Sequence, residues 1–367
     1  METLQINTES KKYPVFIGNT VLEGLAPFIQ DLSPKVTSIL IISDETVNRL
    51  YFQGTAEKLE CISRSLHSFV IPSGDREKSF DNYYKCLTFA LEKGLDRHSL
   101  IIALGGGMIG DLAGFVAGTY MRGIRFIQLP TTLLAHDSAV GGKTGINHPL
   151  GKNMVGVFHQ PEAVFYSTSF LKSLAEEEWR SGFAEVIKHS LIADEAFYHW
   201  LVNEVTEIQK IPDEKLAYIL KTAIAIKAQV VAQDERESGL RAILNFGHTL
   251  GHAIESKAGY GAISHGDAVS IGMRFALKLS ESISGKNLHY IAINKWFRKF
   301  CYPVIPPQLE AEALLETMKR DKKSTMGHVK MVLLQEIGQA CVQEVNDTLL
   351  LDSLEEFIMA DKEQNSE

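Results

Sequence analysis

Residues 39–42 and 100–104 are apolar at every position, with no alternation toward a polar face. A strand of that kind must be covered on both sides, as in a parallel sheet with crossover helices on its two faces. The flanking segments fit this arrangement. Residues 36–43 form a strand-like run ending at Asp44, and an amphipathic stretch, 46–59, follows. A second strand, 67–71, closes at Pro72-Ser73-Gly74-Asp75, and a helix-like segment, 78–93, leads into the strand 100–104. Residues 126–129 read as a further strand, ending at Pro130-Thr131-Thr132. Near the start, 4–7 and 15–17 flank the turn-like stretch 10–14 and are expected to pair as a hairpin.

Beyond about residue 170 the periodicity changes from strand to helix. Helical spacing dominates 175–193, 195–209, 213–234, 245–258, 266–283 and 292–300, and the prolines at 303, 306 and 307 stop the last of these. Two domains are expected, 1–170 and 171–367, with chemistry in the cleft between them; 367 residues suit that number. Residues 360–367 read as a solvated tail.

Composition removes several classes of function. With 37 basic against 45 acidic residues the formal net charge is −8, the wrong sign for a general nucleic-acid binder. Cys61, Cys86, Cys301 and Cys341 form no Cys-x-x-Cys pair and read as small buried hydrophobes, not as a disulfide framework or a zinc site. Residues 1–14 are too polar for an export signal, and the longest apolar runs are strand-length, short of the roughly 20 residues that span a bilayer. No membrane partner is expected, and the cytoplasm is the expected compartment.

The strand 100–104 runs straight into Gly105-Gly106-Gly107-Met108-Ile109-Gly110-Asp111, and a helical stretch follows. Gly105, Gly107 and Gly110 fit Gly-x-Gly-x-x-Gly in the strand–helix context that its mechanism needs: with no side chains in the way, backbone N–H groups can approach a pyrophosphate at a helix N-terminus. The fold class is therefore an α/β N-terminal domain with a Rossmann-like parallel sheet, followed by a mainly α-helical C-terminal domain. The position is unusual, because the loop follows at least two βα units and no acid ends the next strand. Asp44, at the end of an earlier strand, is the better ribose partner.

Asn245-Phe246-Gly247-His248-Thr249-Leu250-Gly251-His252 places two histidines at i and i+4 on one helix face, and His265 follows at a helix start. Glu185 lies in the apolar stretch 182–189, with Lys188 and His189 on its own face. Two imidazoles and a carboxylate make a catalytic metal set with room for a substrate oxygen, and zinc is the first expectation. A lone carboxylate on an apolar helix is costly to bury without such a partner. Gly141-Gly142-Lys143 and Gly151-Lys152-Asn153 present lysines from glycine-flanked loops. Lys188, Arg241, Arg122 and Lys330 are further cations near glycines or the histidines. Gathered together, such cations would draw a small, multiply anionic ligand into an acidic protein.

In combination, segments 105–111, 129–134, 136–147, 151–156, 182–189, 241–252 and 265–272 resemble the 3-dehydroquinate synthases, over about residues 15–350. The wording His-Asp-Ser-Ala-Val-Gly-Gly-Lys at 136–143 is most similar to the enzymes of Gram-positive bacteria. The resemblance implies an NAD- and metal-dependent lyase of the shikimate pathway, redox-neutral overall. In that family 3-deoxy-D-arabino-heptulosonate 7-phosphate is oxidised at C5, loses phosphate, is reduced again and closes by an intramolecular aldol step. By resemblance the metal, zinc or cobalt, is held by Glu185, His248 and His265. The anionic sugar phosphate is held by Lys143, Lys152, Asn153, Lys188, Arg241, Asn245, His252 and Lys330, with Asp137 beside them. Arg122 matches an arginine that reaches a neighbouring subunit, which implies a homodimer. For NAD the matching positions are Asp44, Ser73, Gly74, Asp75, Arg76, Glu77, Lys78, Gly107, Met108, Ile109, Gly110, Asp111, Thr131, Thr132, Lys143, Lys152, Phe170, Leu171, Lys172 and Ser173. One departure stands out: Asp75 occupies the place of the family's usual glutamate, one methylene short, with Glu77 nearby as a substitute. Two rivals remain, another sugar phosphate cyclase making a cyclitol and a metal-dependent polyol dehydrogenase of the same fold. Neither needs the whole of this substrate set.

Overall fold

The computed structural model describes residues 1–60, 62, 65–237, 239–259, 261–320 and 329–363. Cys61 and residues 364–367 lie outside them. The chain begins β1 (Glu2–Asn7), β2 (Lys12–Gly18), α1 (Leu25–Asp31), β3 (Ile39–Asp44), α2 (Glu45–Leu59), β4 (Leu66–Ile71) and α3 (Phe80–Glu92). It continues through β5 (Leu100–Gly105), α4 (Gly107–Thr119), β6 (Arg125–Pro130), the one-turn α5 (Ala135–Ser138), β7 (Lys143–His148), β8 (Gly151–Phe158) and β9 (Ala163–Ser167). Then come α6 (Glu176–Ala193), α7 (Glu195–Glu204), α8 (Asp213–Gln233), α9 (His248–Ala258), α10 (His265–Ser284), α11 (Tyr290–Lys299) and α12 (Ala311–Lys319). The hairpin β10 (Val329–Glu336) and β11 (Gln339–Val345) precedes the last helix, α13 (Asp347–Glu363).

Contacts divide the chain into two units, Met1–Ala175 with Pro212–Arg236, and Glu176–Ile211 with Glu237–Glu367. In the first, a seven-stranded sheet has the order β1-β2-β9-β6-β5-β3-β4. Only the β1–β2 hairpin is antiparallel; the other pairs run parallel. Alternate side chains explain why β3 and β5 are apolar throughout. Leu40, Ile42, Ile101 and Ala103 pack into one core with α3 and α4, while Ile39, Ile41, Leu100, Ile102 and Leu104 pack into a second core with α1 and α2.

The strand order accounts for the unusual loop position. The connection β3–α2–β4 winds one way from β3, and β5–α4–β6 winds the other way, so the topological switch lies between β3 and β5. Ligands of open α/β sheets bind beyond the carboxyl ends of the strands flanking such a switch. Those ends are Asp44 and Gly105.

Several expectations need correction. The glycine-flanked segments around Lys143 and Lys152 are not loops but the antiparallel hairpin β7–β8, with Lys143 facing Phe158 in the register. The helix expected over 213–234, α8, belongs to the first unit and packs on β1, β2 and α5, so the division is not a single cut after residue 170. By length and composition alone α8 is apolar enough to cross a membrane, yet it is a core helix that carries the buried Lys227. The second unit is helical except for β10–β11, whose turn uses Gly338 at φ +85°. Its last helix takes up residues 360–363 of the expected tail 360–367: Asp361 is buried and takes two hydrogen bonds from the Arg274 guanidinium and one from the Ile305 N–H. Cys86 is buried as expected and burial pushes its thiol up to about 12, but Cys301 is exposed.

Candidate active site

In the first unit, β5 delivers the chain to Gly106, which precedes α4 without any capping side chain. The first-turn N–H groups of α4 are thus left for a ligand. A Cβ on Gly106 would lie 2.9 Å from Thr132 Cγ2, and one on Gly107 would lie 2.8 Å from Ser138 Oγ, both of them side-chain atoms. Thr131, Thr132 and Ser138 each bring to this place a buried hydroxyl with no partner among the described residues, and the Tyr166 hydroxyl holds their turn by donating to the Thr132 carbonyl. Unpaired buried hydroxyls beside uncapped amides suit an anionic, hydroxyl-rich ligand. Gly110 faces Gln128, Ile109 sits in the core and Met108 packs against it, so the loop offers backbone here, not side chains.

Across the switch, Asp44 Oδ1 accepts from the Thr46 and Val47 N–H groups at 3.0 and 3.1 Å and from Ser73 Oγ at 2.8 Å. It caps α2 and anchors the strand end in one move. Beyond Gly74, at φ +119°, and the exposed Arg76, the buried Lys78 ammonium donates to Asp111 Oδ2 at 2.9 Å and to Asn153 Oδ1. Burial raises the Asp111 carboxyl, and the Lys78 charge opposes that rise. Asp75 Oδ2 lies 3.2 Å from Lys152 Nζ, whereas Glu77 Oε2 accepts from Asn82 Nδ2 at 2.8 Å. Phe170 and Leu171 are buried, with the Tyr51 ring 4.5 Å from that of Phe170 and its hydroxyl donating to Ser173 Oγ. Lys172 is exposed and 3.5 Å from Asp213. Of the substrate set, this unit carries Asp137, Lys143, Lys152 and Asn153, the last at φ +56°. Arg122 stands exposed on the left-handed turn after α4 and has no ion pair among the described residues.

In the second unit three helices bring the metal set together. His248 Nε2 lies 3.5 Å and His265 Nε2 3.9 Å from Glu185 Oε1, and the two imidazole centroids are 5.3 Å apart. Glu185 Oε1 is buried and makes no hydrogen bond among the described residues, while Oε2 pairs with Lys188. An orphaned buried carboxylate oxygen facing two imidazole nitrogens is the donor set of a divalent cation, so these residues fit a metal. The Phe246 carbonyl can only accept, 3.2 Å from His248 Nδ1, so Nδ1 carries the hydrogen and Nε2 keeps its lone pair for the cluster.

Tight helix crossings fix the triangle. A Cβ on Gly272 of α10 would fall 1.9 Å from the Gly247 carbonyl oxygen, one residue before His248, and Gly247 itself adopts φ +80°. A Cβ on Gly266, next to His265, would fall 2.1 Å from the Ser181 carbonyl on α6. Arg180 and Asp267 bridge the same two helices with bonds of 2.7 and 3.0 Å.

The rest of the substrate set in this unit is more dispersed. Lys188 joins the metal cluster through Glu185, and the exposed His252 lies 5.4 Å from His248 and 5.9 Å from His265, ring to ring. Arg241 is buried in the 3₁₀ turn before α9; Asn245, in the same turn, donates to the Ala242 carbonyl at 3.0 Å. Lys330 sits on β10, 3.7 Å from its cross-strand partner Glu344.

Two residues escaped the sequence reading. Lys227, 6 % exposed, is 3.0 Å from Asp137 Oδ2 and also donates to the Asp137 carbonyl; its signal was a lone charge within the apolar stretch 223–231 of α8. Glu255 lies at i+7 from His248 and i+3 from His252, on the same stripe of α9.

Family models for the 3-dehydroquinate synthase N-terminal and C-terminal regions match residues 68–181 and 182–324. The chain belongs to the 3-dehydroquinate synthase family. A 3-dehydroquinate synthase of Bacillus cytotoxicus is 58 % identical over 357 residues, 97 % of this chain and 96 % of that one. Among solved structures, a 2-deoxy-scyllo-inosose synthase complexed with carbaglucose-6-phosphate, NAD+ and Co2+ is 26 % identical with a TM-score of 0.88, covering 97 % of this chain and all of its own. The 2-epi-5-epi-valiolone synthase ValA of Streptomyces hygroscopicus, solved with NAD+ and Zn2+, shares the fold at a TM-score of 0.85, with 24 % identity over 96 % of this chain and 99 % of that one.

Proposed function

We propose that this family member converts 3-deoxy-D-arabino-heptulosonate 7-phosphate into 3-dehydroquinate and phosphate, with NAD at the glycine loop and zinc or cobalt at Glu185, His248 and His265. The observation that carries the reading is the unbonded Glu185 oxygen facing two imidazole nitrogens in a chain 58 % identical to a 3-dehydroquinate synthase. When bound, the cation supplies Lewis acidity toward an alcohol oxygen, and the dinucleotide stores a hydride between oxidation and re-reduction.

The chain's own residues do the rest. Lys188 holds one oxygen of Glu185, which leaves the other free to ligate. Lys143 and Lys152 in the first unit, and Arg241 and Lys330 in the second, are the cationic side chains for a substrate bearing a carboxylate and a phosphate, and they oppose the charge that grows on the departing phosphate. Asn153, Asn245 and His252 supply hydrogen-bonding partners for its hydroxyls. Asp137, held by Lys227, is a fixed acceptor at that site. On the dinucleotide, Asp44 with Ser73 takes a ribose, Gly107 to Asp111 and Thr131–Thr132 take the pyrophosphate, and residues 75–78 with 170–173 border it.

The test offers the protein the heptulosonate phosphate with NAD and Zn2+ or Co2+, and follows phosphate and NADH together. Phosphate release without net NADH is the expected result. Stoichiometric NADH would instead mark a polyol dehydrogenase, and turnover of glucose 6-phosphate alone another cyclase, the chemistry closest to the carbaglucose-6-phosphate complex.

We assign the working form as a cytoplasmic homodimer in which Arg122 serves the partner's phosphate site. Its exposure, with no ion pair among the described residues, supports this, and the free thiols Cys86, Cys301 and Cys341 suit a reducing compartment. Arg122→Ala and His265→Ala should each be inactive alone and regain up to about a quarter of wild-type activity when mixed, the share a randomly assorted dimer with one intact site provides. Activity that stays at zero on mixing removes Arg122 from the neighbour's site.

A further inference from the structure

We propose that Glu255 is the positioning residue of the metal centre: it holds His265 in the ring orientation and tautomer that point Nε2 at the cation. This rests on the metal reading above. Glu255 is 4 % exposed, and a carboxylate buried that far needs a partner. Its Oε2 lies 3.2 Å from His265 Nδ1. A carboxylate accepts and does not donate, so Nδ1 carries the hydrogen and Nε2 keeps its lone pair, on the side facing Glu185 Oε1. His265 needs such a support more than His248 does. His248 is buried and tied through Nδ1 to a backbone carbonyl two residues away, whereas the His265 side chain is 32 % exposed on the first turn of its helix. Its ring is held by a side chain from another helix. Sitting at i+7 from His248, Glu255 projects from the stripe of α9 that carries the first imidazole, so one helix both ligates the ion and orients the second imidazole.

His252, Glu255 and His265 also place ligand atoms within 4.8 Å of one another. A second ion there would need the His265 Nδ1 that Glu255 already engages, and orientation is the reading that uses the 3.2 Å contact.

The experiment titrates wild type, Glu255→Gln and Glu255→Leu with Zn2+ against a chelating indicator, records the visible spectrum of the Co2+ forms, and melts each metal-free protein. Wild type should bind one ion. Glu255→Gln keeps an acceptor for Nδ1–H and should lose about tenfold in affinity, and Glu255→Leu about a hundredfold with an altered Co2+ spectrum. A merely structural role predicts the opposite split, a lowered melting temperature with Zn2+ affinity unchanged, since removing one partner of a buried polar pair destabilises the fold. Loss of Zn2+ affinity with an unchanged melting temperature therefore supports positioning. Wild-type affinity and spectrum in Glu255→Leu would overturn it, as would a second Zn2+ equivalent lost in that variant. Failure of wild type itself to bind an ion would overturn the metal reading instead, and this one with it.

Discussion

The glycine loop of the first unit and the metal triangle of the second are both built around glycines, yet the glycines do different work. At the loop, the atoms that a Cβ on Gly106 or Gly107 would meet are the tips of Thr132 and Ser138, which can turn aside. At the triangle, a Cβ on Gly272 or Gly266 would meet backbone carbonyls of neighbouring helices, which cannot. The loop keeps room for a ligand. The crossings keep three helices close enough for Glu185, His248 and His265 to converge, so there the glycine is part of the packing.

The hardest test of that contrast is Gly272→Ala. With backbone at 1.9 Å the helices must part, so the variant should lose roughly 3 kcal/mol of stability and most of its metal, measured by denaturant unfolding and metal content. A variant with full metal content would show that the crossing is not what sets the triangle. Next in size is Lys78→Met in the first unit, which strips the ammonium from Asp111. A broken, largely buried pair costs several kcal/mol, and with Asp111 22 % exposed about 2 kcal/mol is expected at pH 7. The loss depends on pH. The Asp111 carboxyl, already raised by burial, rises further without Lys78, so the folded state pays for ionisation at neutral pH and is relieved as pH falls through the raised folded value. The deficit against wild type should therefore be smaller at pH 5 than at pH 7 in urea unfolding. An equal deficit at both would show that the pair is not what Lys78 contributes.

The same contrast explains how far the sequence could be read. The loop is contiguous, and strand, turn and helix follow one another within residues 100–119, so local pattern sufficed. The switch point between β3 and β5 was not legible, because strand order depends on which crossovers wind which way. Lys143 and Lys152 read as phosphate loops since glycines flank them; cross-strand pairing to Phe158 and Asp75's neighbourhood is a tertiary fact. Convergence of Glu185 with two histidines came from resemblance, not from spacing, because Glu185 and His248 are 63 positions apart. The place of α8 with the sheet, and of Asp361 under Arg274, left no local trace at all: one is an apolar helix like any other, the other an acid near the end of an acidic chain.

Gly107→Ala sharpens the contrast from the other side. Alanine is a better helix former than glycine at the first position of α4, and Ser138 Oγ can rotate, so stability should stay within about 1 kcal/mol of wild type. On the reading proposed above, which sets the pyrophosphate against this loop, NAD affinity should fall nonetheless; unfolding and NAD titration together read the two effects. A large stability loss would put this glycine in the same class as Gly272.

The smallest effects decide between two neighbouring acids. Glu77 Oε2 is occupied by Asn82 Nδ2, an arrangement that an amide oxygen reproduces, so Glu77→Gln should change stability by no more than about 0.5 kcal/mol and NAD affinity by less than about twofold. Asp75 is half exposed, and its partner Lys152 is among the positions proposed above for NAD. Asp75→Asn should leave stability equally unchanged, since exposed ion pairs contribute little, but weaken NAD severalfold. The missing methylene then costs reach, and Asp75→Glu should tighten NAD. If instead Glu77→Gln is the variant that loses NAD while Asp75→Asn does not, the Asn82 contact is broken on binding and Glu77 has taken the place of the family's usual glutamate.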